Sequence, residues 1–274
     1  MNEDRSDGRR PAQGTRADRP PGGAPPELRP LTARSIVLST LLGHHPPRLP
    51  ARALVRVGAL FSVAEGTIRV ALSRMVAAGE LEQRDGTYAL TARLLERQAR
   101  QDDSRAPHTR PWHGDWEVAV VTADRRSAAE RAALRQTMTG LRLAELREGV
   151  WLRPANLDRP LSAGVRTQCT VLTAVPEEAP EELATRLWDL PGWARSAREL
   201  AEALDRAREP AERFTVAAAI LRHLLADPVL PPELLPPGWP GARLRACYAE
   251  FARELADLLR DHAADRRQGA GSGR

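Results

Sequence analysis

Between Ala51 and Leu90 the apolar residues change their period twice over a short span, and few small folds satisfy that pattern. Pro50 suits a first helical position, and Leu54, Val57, Leu60 and Phe61 then repeat at helical spacing. A break follows at Ser62 to Ala64. A second run sets Ile68, Ala71, Leu72, Met75 and Val76 on one face, and Gly79 stands where a glycine ends a helix. Leu81 opens a short strand, Arg84-Asp85-Gly86-Thr87 turns it, and Tyr88 and Leu90 return. Helix, tight turn, helix and hairpin in this order predict a winged helix-turn-helix, whose second helix can enter a major groove.

The outward face of that second helix carries Gly66, Val70, Ser73 and Ala77, flanked by Thr67, Arg69 and Arg74. Small side chains allow close approach to base edges, and Arg chelates guanine or holds a phosphate. The hairpin offers Arg84 and Thr87 to the flanking backbone. Thr67, Arg69, Val70, Ser73, Arg74, Arg84 and Thr87 are therefore the candidate contacts to double-stranded operator DNA. A single surface Arg means little, but the charge distribution adds weight. Residues 31–100 hold ten Arg and five acids. Their +5 balance equals the formal charge of the whole chain, so the excess is confined to the candidate reader unit.

A chain of 274 residues accommodates two or three small domains. All 41 basic residues are Arg, which a GC-rich coding genome explains better than function does. Cys169 and Cys247 have no metal-ligand spacing and read as small buried hydrophobes of a reducing cytoplasm. The sequence shows neither a spanning apolar stretch nor a signal-peptide core. The expectation is a cytoplasmic protein without a membrane partner, metal or cofactor.

Residues 1–30 and 268–274 read as disordered tails. Residues 31–100 form the winged unit, opened by a helix over Ala33 to Leu42 that Thr32 caps and closed by a helix after a Thr91 cap. Residues 101–111, polar and ending in Pro, read as a linker. In 112–179, a strand over Trp116 to Thr122 precedes a helix over Ser127 to Thr139 that Gly140 closes. Strands over Leu141 to Leu146, Val150 to Leu152 and Gln168 to Val175 follow. This β-α-β-β-β order predicts a ferredoxin-like α+β domain. The second helix of such a domain would fall between Asn156 and Gly164, but that segment is short and Pro160 interrupts it, which argues against the element. Residues 180–267 form a helical domain over Glu181 to Leu187, Trp193 to Ala207, Ala211 to Leu225 and Ala242 to Ala264. Its proline-rich segment from Asp227 to Gly241 reads as a rigid connector.

Four stretches together resemble the PaaX family of bacterial repressors. They are Thr32-Ala33-Arg34-Ser35 with Leu41-Leu42-Gly43; Phe61-Ser62-Val63 with Arg69, Ala71-Leu72, Arg74-Met75-Val76 and Gly79; Trp112-His113-Gly114-Asp115-Trp116 with Glu148-Gly149-Val150-Trp151-Leu152-Arg153-Pro154; and Leu187-Trp188-Asp189-Leu190 with Asp227-Pro228, Leu230-Pro231, Leu235-Pro236 and Trp239-Pro240-Gly241. The resemblance implies a winged helix, a central domain similar to the CRISPR protein Cas2 and a helical C-terminal domain. It also implies a homodimeric repressor on a palindromic operator, released by a small effector such as an acyl- or aryl-CoA thioester. The chain departs from the family at Ala64, a poor N-cap for which Ser62 is the candidate substitute. It is also abbreviated after Asn156, and the segment after Leu190 lacks the aromatic residues expected of the family beside Leu187-Trp188-Asp189-Leu190.

Asp124 follows the first central strand, where Cas2-type nucleases keep a metal-binding Asp, but no second carboxylate stands at matched spacing. His44 and His45 precede Pro46-Pro47 and read as a polar turn. No Walker loop and no Gly-x-Ser-x-Gly elbow is present, so no enzyme activity is expected. The six Trp read first as core and interface anchors. Trp188 and Trp239 are the candidate effector contacts, with Arg222 or Arg243 for CoA phosphates. A ligand-responsive repressor is the leading function. The alternatives are a Cas2-like metal-dependent nuclease with an accessory DNA-binding domain, and a winged-helix protein-interaction module.

Overall fold

The computed structural model describes residues 31–123, 126–161 and 163–269. The expected N-terminal tail, Asp124 and residues 270–274 lie outside the described residues. Near the N-terminus, helix α1 (Ala33–Gly43) starts at Thr32, whose hydroxyl accepts from the Ser35 amide at 3.2 Å. Helices α2 (Ala51–Ala59) and α3 (Glu65–Ala77) follow, then the hairpin β2 (Leu81–Arg84) and β3 (Thr87–Leu90). Asp85 and Gly86 take φ of 48° and 69°, the left-handed pair of a two-residue hairpin turn. Gly79, at φ 66°, lets its own amide reach Val76 and the Glu80 amide reach Met75, which satisfies the last carbonyls of α3. A Cβ at Gly58 would lie 2.5 Å from Ile68 Cγ1, so glycine there is what lets α2 and α3 pack this closely. Leu41, Leu54, Leu72, Met75 and Tyr88 fill the core of the unit.

Three expectations change here. Pro50 is the N-cap of α2, because it also ends a strand, β1 (Arg48–Pro50). That strand pairs with β3 and makes the sheet three-stranded in the order β1-β3-β2. Ser62 caps nothing at the start of α3: at φ 56° it forms the tight turn, and Ala64 is the N-cap of α3, without a side-chain cap bond. Thr91 likewise gives no N-cap bond to α4 (Ala92–Arg105), because its hydroxyl is directed to the Gly79 and Glu80 carbonyls, both at 3.2 Å.

Helix α4 also takes in the first half of the expected linker at 101–111. Its inward positions are polar: Gln98, Gln101 and Ser104 are buried along with Leu94. Gln98 Nε2 donates to the Leu42 and His44 carbonyls at 3.0 and 3.1 Å and closes the C-terminal end of α1. The remaining stretch is tied down, with Arg110 N donating to Asn156 O at 2.8 Å.

The central unit runs β4 (Trp116–Val121), α5 (Ala128–Gly140), β5 (Ala144–Arg147), β6 (Val150–Pro154), α6 (Ala163–Gln168) and β7 (Cys169–Ala174). Its sheet is antiparallel throughout, in the order β5-β6-β4-β7, the connectivity of a ferredoxin-like domain. The second helix exists, but beyond Pro160 and only six residues long. Gly140 stays inside α5, and the left-handed position after the helix falls to Arg142 at φ 62°. One face of the sheet, with Ala119 and Trp151, packs on Leu134 and Met138 of α5. The other, with Trp116 and Leu152, packs on Leu183, Leu190 and Leu230 from the C-terminal part.

That part consists of α7 (Pro180–Leu187), α8 (Leu190–Arg206), α9 (Pro210–Leu225), a short 3-10 turn (Pro232–Leu234) and α10 (Gly241–Gly269). Helix α10 therefore includes the first two residues of the expected C-terminal tail. Helices α8, α9 and α10 share a core of Leu200, Leu204, Phe214, Ile220, Leu224 and Leu244. Cys169 is buried as expected, whereas Cys247 is only half-buried.

Candidate nucleic-acid interface

Helix α3 turns Ile68, Leu72 and Met75 inward, which leaves Thr67, Arg69, Val70, Ser73 and Arg74 exposed on its other side. Val70 is 50% exposed, unusual for a large aliphatic residue on a helix with a well-buried opposite face. The five helix candidates differ in readiness. Arg69 Nε is held by Glu65 Oε1 at 2.8 Å, one helical turn back. Ser73 Oγ donates to the Arg69 carbonyl at 3.2 Å in an exposed position. Arg74 has no bonded partner among the described residues. Arg84 is exposed at the end of β2, and half-buried Thr87 is its register partner across the turn.

Beside α3 a groove of about 390 Å³ runs to the N-terminal end of α1, lined by Thr32, Arg34, Thr67, Val70 and Arg74 among others. Arg34 was not singled out as a site residue, although it lies in one of the stretches that carry the resemblance. Its Nε donates to Glu80 Oε2 at 2.9 Å, and a second bond joins Nη2 to Oε1. This pairing raises the Arg34 pKa and, with Arg93 nearby, holds the Glu80 carboxyl below its ordinary value. Among the described residues the groove thus contains one neutralised cation, Arg34, and one without a bonded partner, Arg74.

The four candidate effector residues are spread over different surroundings. Trp188 is half-buried and stacks on the fully buried Trp116, with centroids 6.4 Å apart. Trp239 stacks on Trp193 at 4.6 Å, and Trp193 stacks on His223 at 4.5 Å. Trp193 Nε1 donates to the His223 carbonyl at 3.2 Å, while His223 Nε2 bonds the Trp193 carbonyl at 2.9 Å. Burial pushes the His223 pKa down against the opposing effect of that last bond. Arg243 is exposed and paired with Asp205 at 3.4 Å. Arg222 instead lines a cleft between the N-terminal unit and helices α9 and α10, whose lining includes none of the other three.

Asp124, the candidate metal-binding residue, lies outside the described residues. Among the described residues no group of three or more His, Cys, Asp or Glu could hold a metal ion. His45 Nε2 bonds Asp102 Oδ2 at 3.0 Å, but burial and the Arg105 cation keep its pKa below the ordinary value. Among the described residues no helix is long and apolar enough to cross a membrane.

Three family models match the chain: a PaaX-like protein over residues 32–94, a PaaX protein central Cas2-like domain over 109–179, and a PaaX-like protein C-terminal domain over 188–265. The solved structure of an uncharacterized protein from Mycobacterium tuberculosis is 50% identical, with a TM-score of 0.74. The match covers 84% of this chain and 98% of that one. No curated protein matches.

Proposed function

The chain belongs to the PaaX-like proteins, a family of transcriptional regulators with a Cas2-like central domain, and from that premise we propose that it is a DNA-binding repressor. Residues 31–100 act as a winged helix-turn-helix that lays α3 in the major groove and the β2–β3 hairpin on the flanking backbone. The observation that carries this reading is the exposed face of α3. Small and hydroxylic side chains, an unpaired Arg74 and an adjacent groove face outward on the unit that holds the whole net positive charge of the chain. Thr67, Val70 and Ser73 contact base edges, Arg69 and Arg74 bind guanine or phosphate, and Arg84 and Thr87 bind backbone.

The regulator works in the cytoplasm as a homodimer, held mainly by residues after 111, with reader helices about one DNA turn or a multiple of it apart. Pairing two half-sites raises affinity through effective concentration. A small effector, with an acyl- or aryl-CoA thioester as the candidate class, releases it by favouring the form that does not bind DNA.

The test is a salt titration of binding to the DNA upstream of its own gene, with the parent and with Arg74→Ala. Loss of a base contact costs about 1–3 kcal/mol and relaxes one position, whereas loss of a phosphate contact weakens all sequences and flattens the salt slope by about one unit. Parent-like binding by both Arg74→Ala and Arg69→Ala sinks the assignment of α3. Sedimentation as a monomer together with a single half-site footprint sinks the dimer.

A further inference from the structure

The N-terminal unit and the C-terminal helices leave a gap where they meet. A cleft of about 110 Å³ lies between α1 and α4 on one side and α9 and α10 on the other. Its inner wall is apolar and aromatic: Phe214 and Phe251 meet edge-on at 6.0 Å, and Tyr248 tilts against Phe251 at 6.3 Å. At its margin stand Arg97 of α4 and Arg222 of α9, both exposed and neither with a bonded partner among the described residues. Gln101 also lines the cleft, is 4% exposed, and its Oε1 accepts no hydrogen bond from the described residues. Buried acceptors ordinarily find a donor, so this oxygen marks a place that the folded chain does not fill by itself.

We infer that the cleft binds a small organic acid whose apolar body rests on the aromatic wall, whose carboxylate lies between Arg97 and Arg222, and whose hydroxyl or N–H donates to Gln101. Each feature of the ligand answers one feature of the cleft. Two unpaired guanidiniums from facing elements call for an anion. An enclosed apolar cavity of about 150 Å³ holds benzene, so a cleft of about 110 Å³ that opens to solvent takes at most one ring or a short chain, with its polar end at the opening. A lone buried acceptor asks for a donor, which a plain hydrocarbon acid lacks.

The site has a mechanical link to the DNA-reading unit. Phe214, part of the aromatic wall, also holds Phe61 edge-on at 5.0 Å, and Phe61 stands next to Ser62 in the turn between α2 and α3. A ligand that displaces Phe214 therefore alters the support of that turn. This regulatory consequence rests on the DNA-binding reading, while the binding itself does not.

The test is titration calorimetry of the full chain with four probes: 3-hydroxybenzoate, benzoate, hexanoate and 3-hydroxybenzyl alcohol. The expected result is saturable binding of 3-hydroxybenzoate, weaker binding of the two acids without a donor, and at least about tenfold weaker binding of the alcohol. Arg222→Gln should lower the affinity for 3-hydroxybenzoate by about tenfold with the unliganded Tm unchanged. Ala218→Leu, which fills the cleft, should abolish binding. Failure of every acid to bind, or binding that is indifferent to both variants, overturns the inference. Binding as expected with no change in DNA affinity leaves the site standing and removes its link to α3. Binding as expected by a protein with no affinity for DNA leaves it standing while the proposed function falls.

Discussion

The C-terminal helices meet the rest of the molecule along two seams of opposite character. Against the central sheet the seam is dense, and beside its apolar packing it carries a connected polar network. Arg153, fully buried, donates to the carbonyls of Pro154, Arg142, Pro228 and Val229 and, at 2.7 Å, to Asn156 Oδ1. Burial and the Arg159 cation push its pKa down to about 9, which still leaves it charged at neutral pH. Asp227, 2% exposed, accepts from Arg245 Nη2 at 2.7 Å and from the Val229 amide at 2.9 Å, while Arg142 binds its carbonyl. Against α1 and α4 the seam holds a cleft and, among the described residues, two Arg and a Gln oxygen without bonded partners. Connected polar groups in a dry seam hold one arrangement, because shifting any one strands the others. An under-filled seam has no such penalty and can exist in more than one state.

Breaking the dense seam should give the largest effect. Arg153→Ala removes five donated bonds and strands acceptors from both domains, so a loss of about 3–5 kcal/mol in urea unfolding is expected. A loss under about 1 kcal/mol would mean that the network positions the domains without stabilising them. Asp227→Asn keeps one acceptor but forfeits the charge opposite Arg142 and Arg245, and should cost about 2 kcal/mol by the same measurement. The open seam should respond with the opposite sign. Gln101→Leu replaces an unsatisfied amide with an apolar side chain of similar size and should add about 1 kcal/mol, and a clear loss instead would show that the amide is bonded in solution.

Acid should have the smallest effect. His44 at the open seam, His45 beside it, and His223 next to the Trp stack all have pKa values lowered mainly by burial. Their unfolded forms therefore take up protons first, near pH 6.5. The stability they contribute is fully present above that value and is lost as the pH falls through the lower folded values. The Tm should fall gradually below pH 6.5, and His223→Phe should flatten part of that slope. A Tm that rises on acidification would contradict the burial of all three.

The sequence revealed elements where apolar periodicity or turn chemistry was strong. Helices α1 to α3, the Asp85-Gly86 hairpin and the strand order of the central domain were legible for that reason. Polar burial hid the rest. The second half of α4 looks like a linker because its inward residues are Gln98, Gln101 and Ser104, and Arg153 looks like any surface Arg until Pro228 and Val229 are brought to it. Strand β1 was missed because it spans only three residues and ends in Pro. On α3 the exposed face follows directly from the helical period, so those candidates were readable locally. The expected grouping of Arg222 with Trp188 and Trp239 was not, because adjacent helical positions face different ways: His223 turns to Trp193 and Arg222 to the cleft. That cleft joins residues from four helices far apart in the chain, and no local pattern announces it.

The stack of Trp239, Trp193 and His223 gives the chain an optical signal of its own. An imidazolium in face contact with an indole quenches its emission far more than a neutral imidazole does. Trp193 lies in such contact with a ring that stays neutral at pH 7 and takes up its proton only in more acidic solution. Intrinsic fluorescence should therefore dim as the pH falls through the folded pKa of His223, before any unfolding. The amplitude of that dimming would read out whether the C-terminal helices remain closed around the stack, with no label attached.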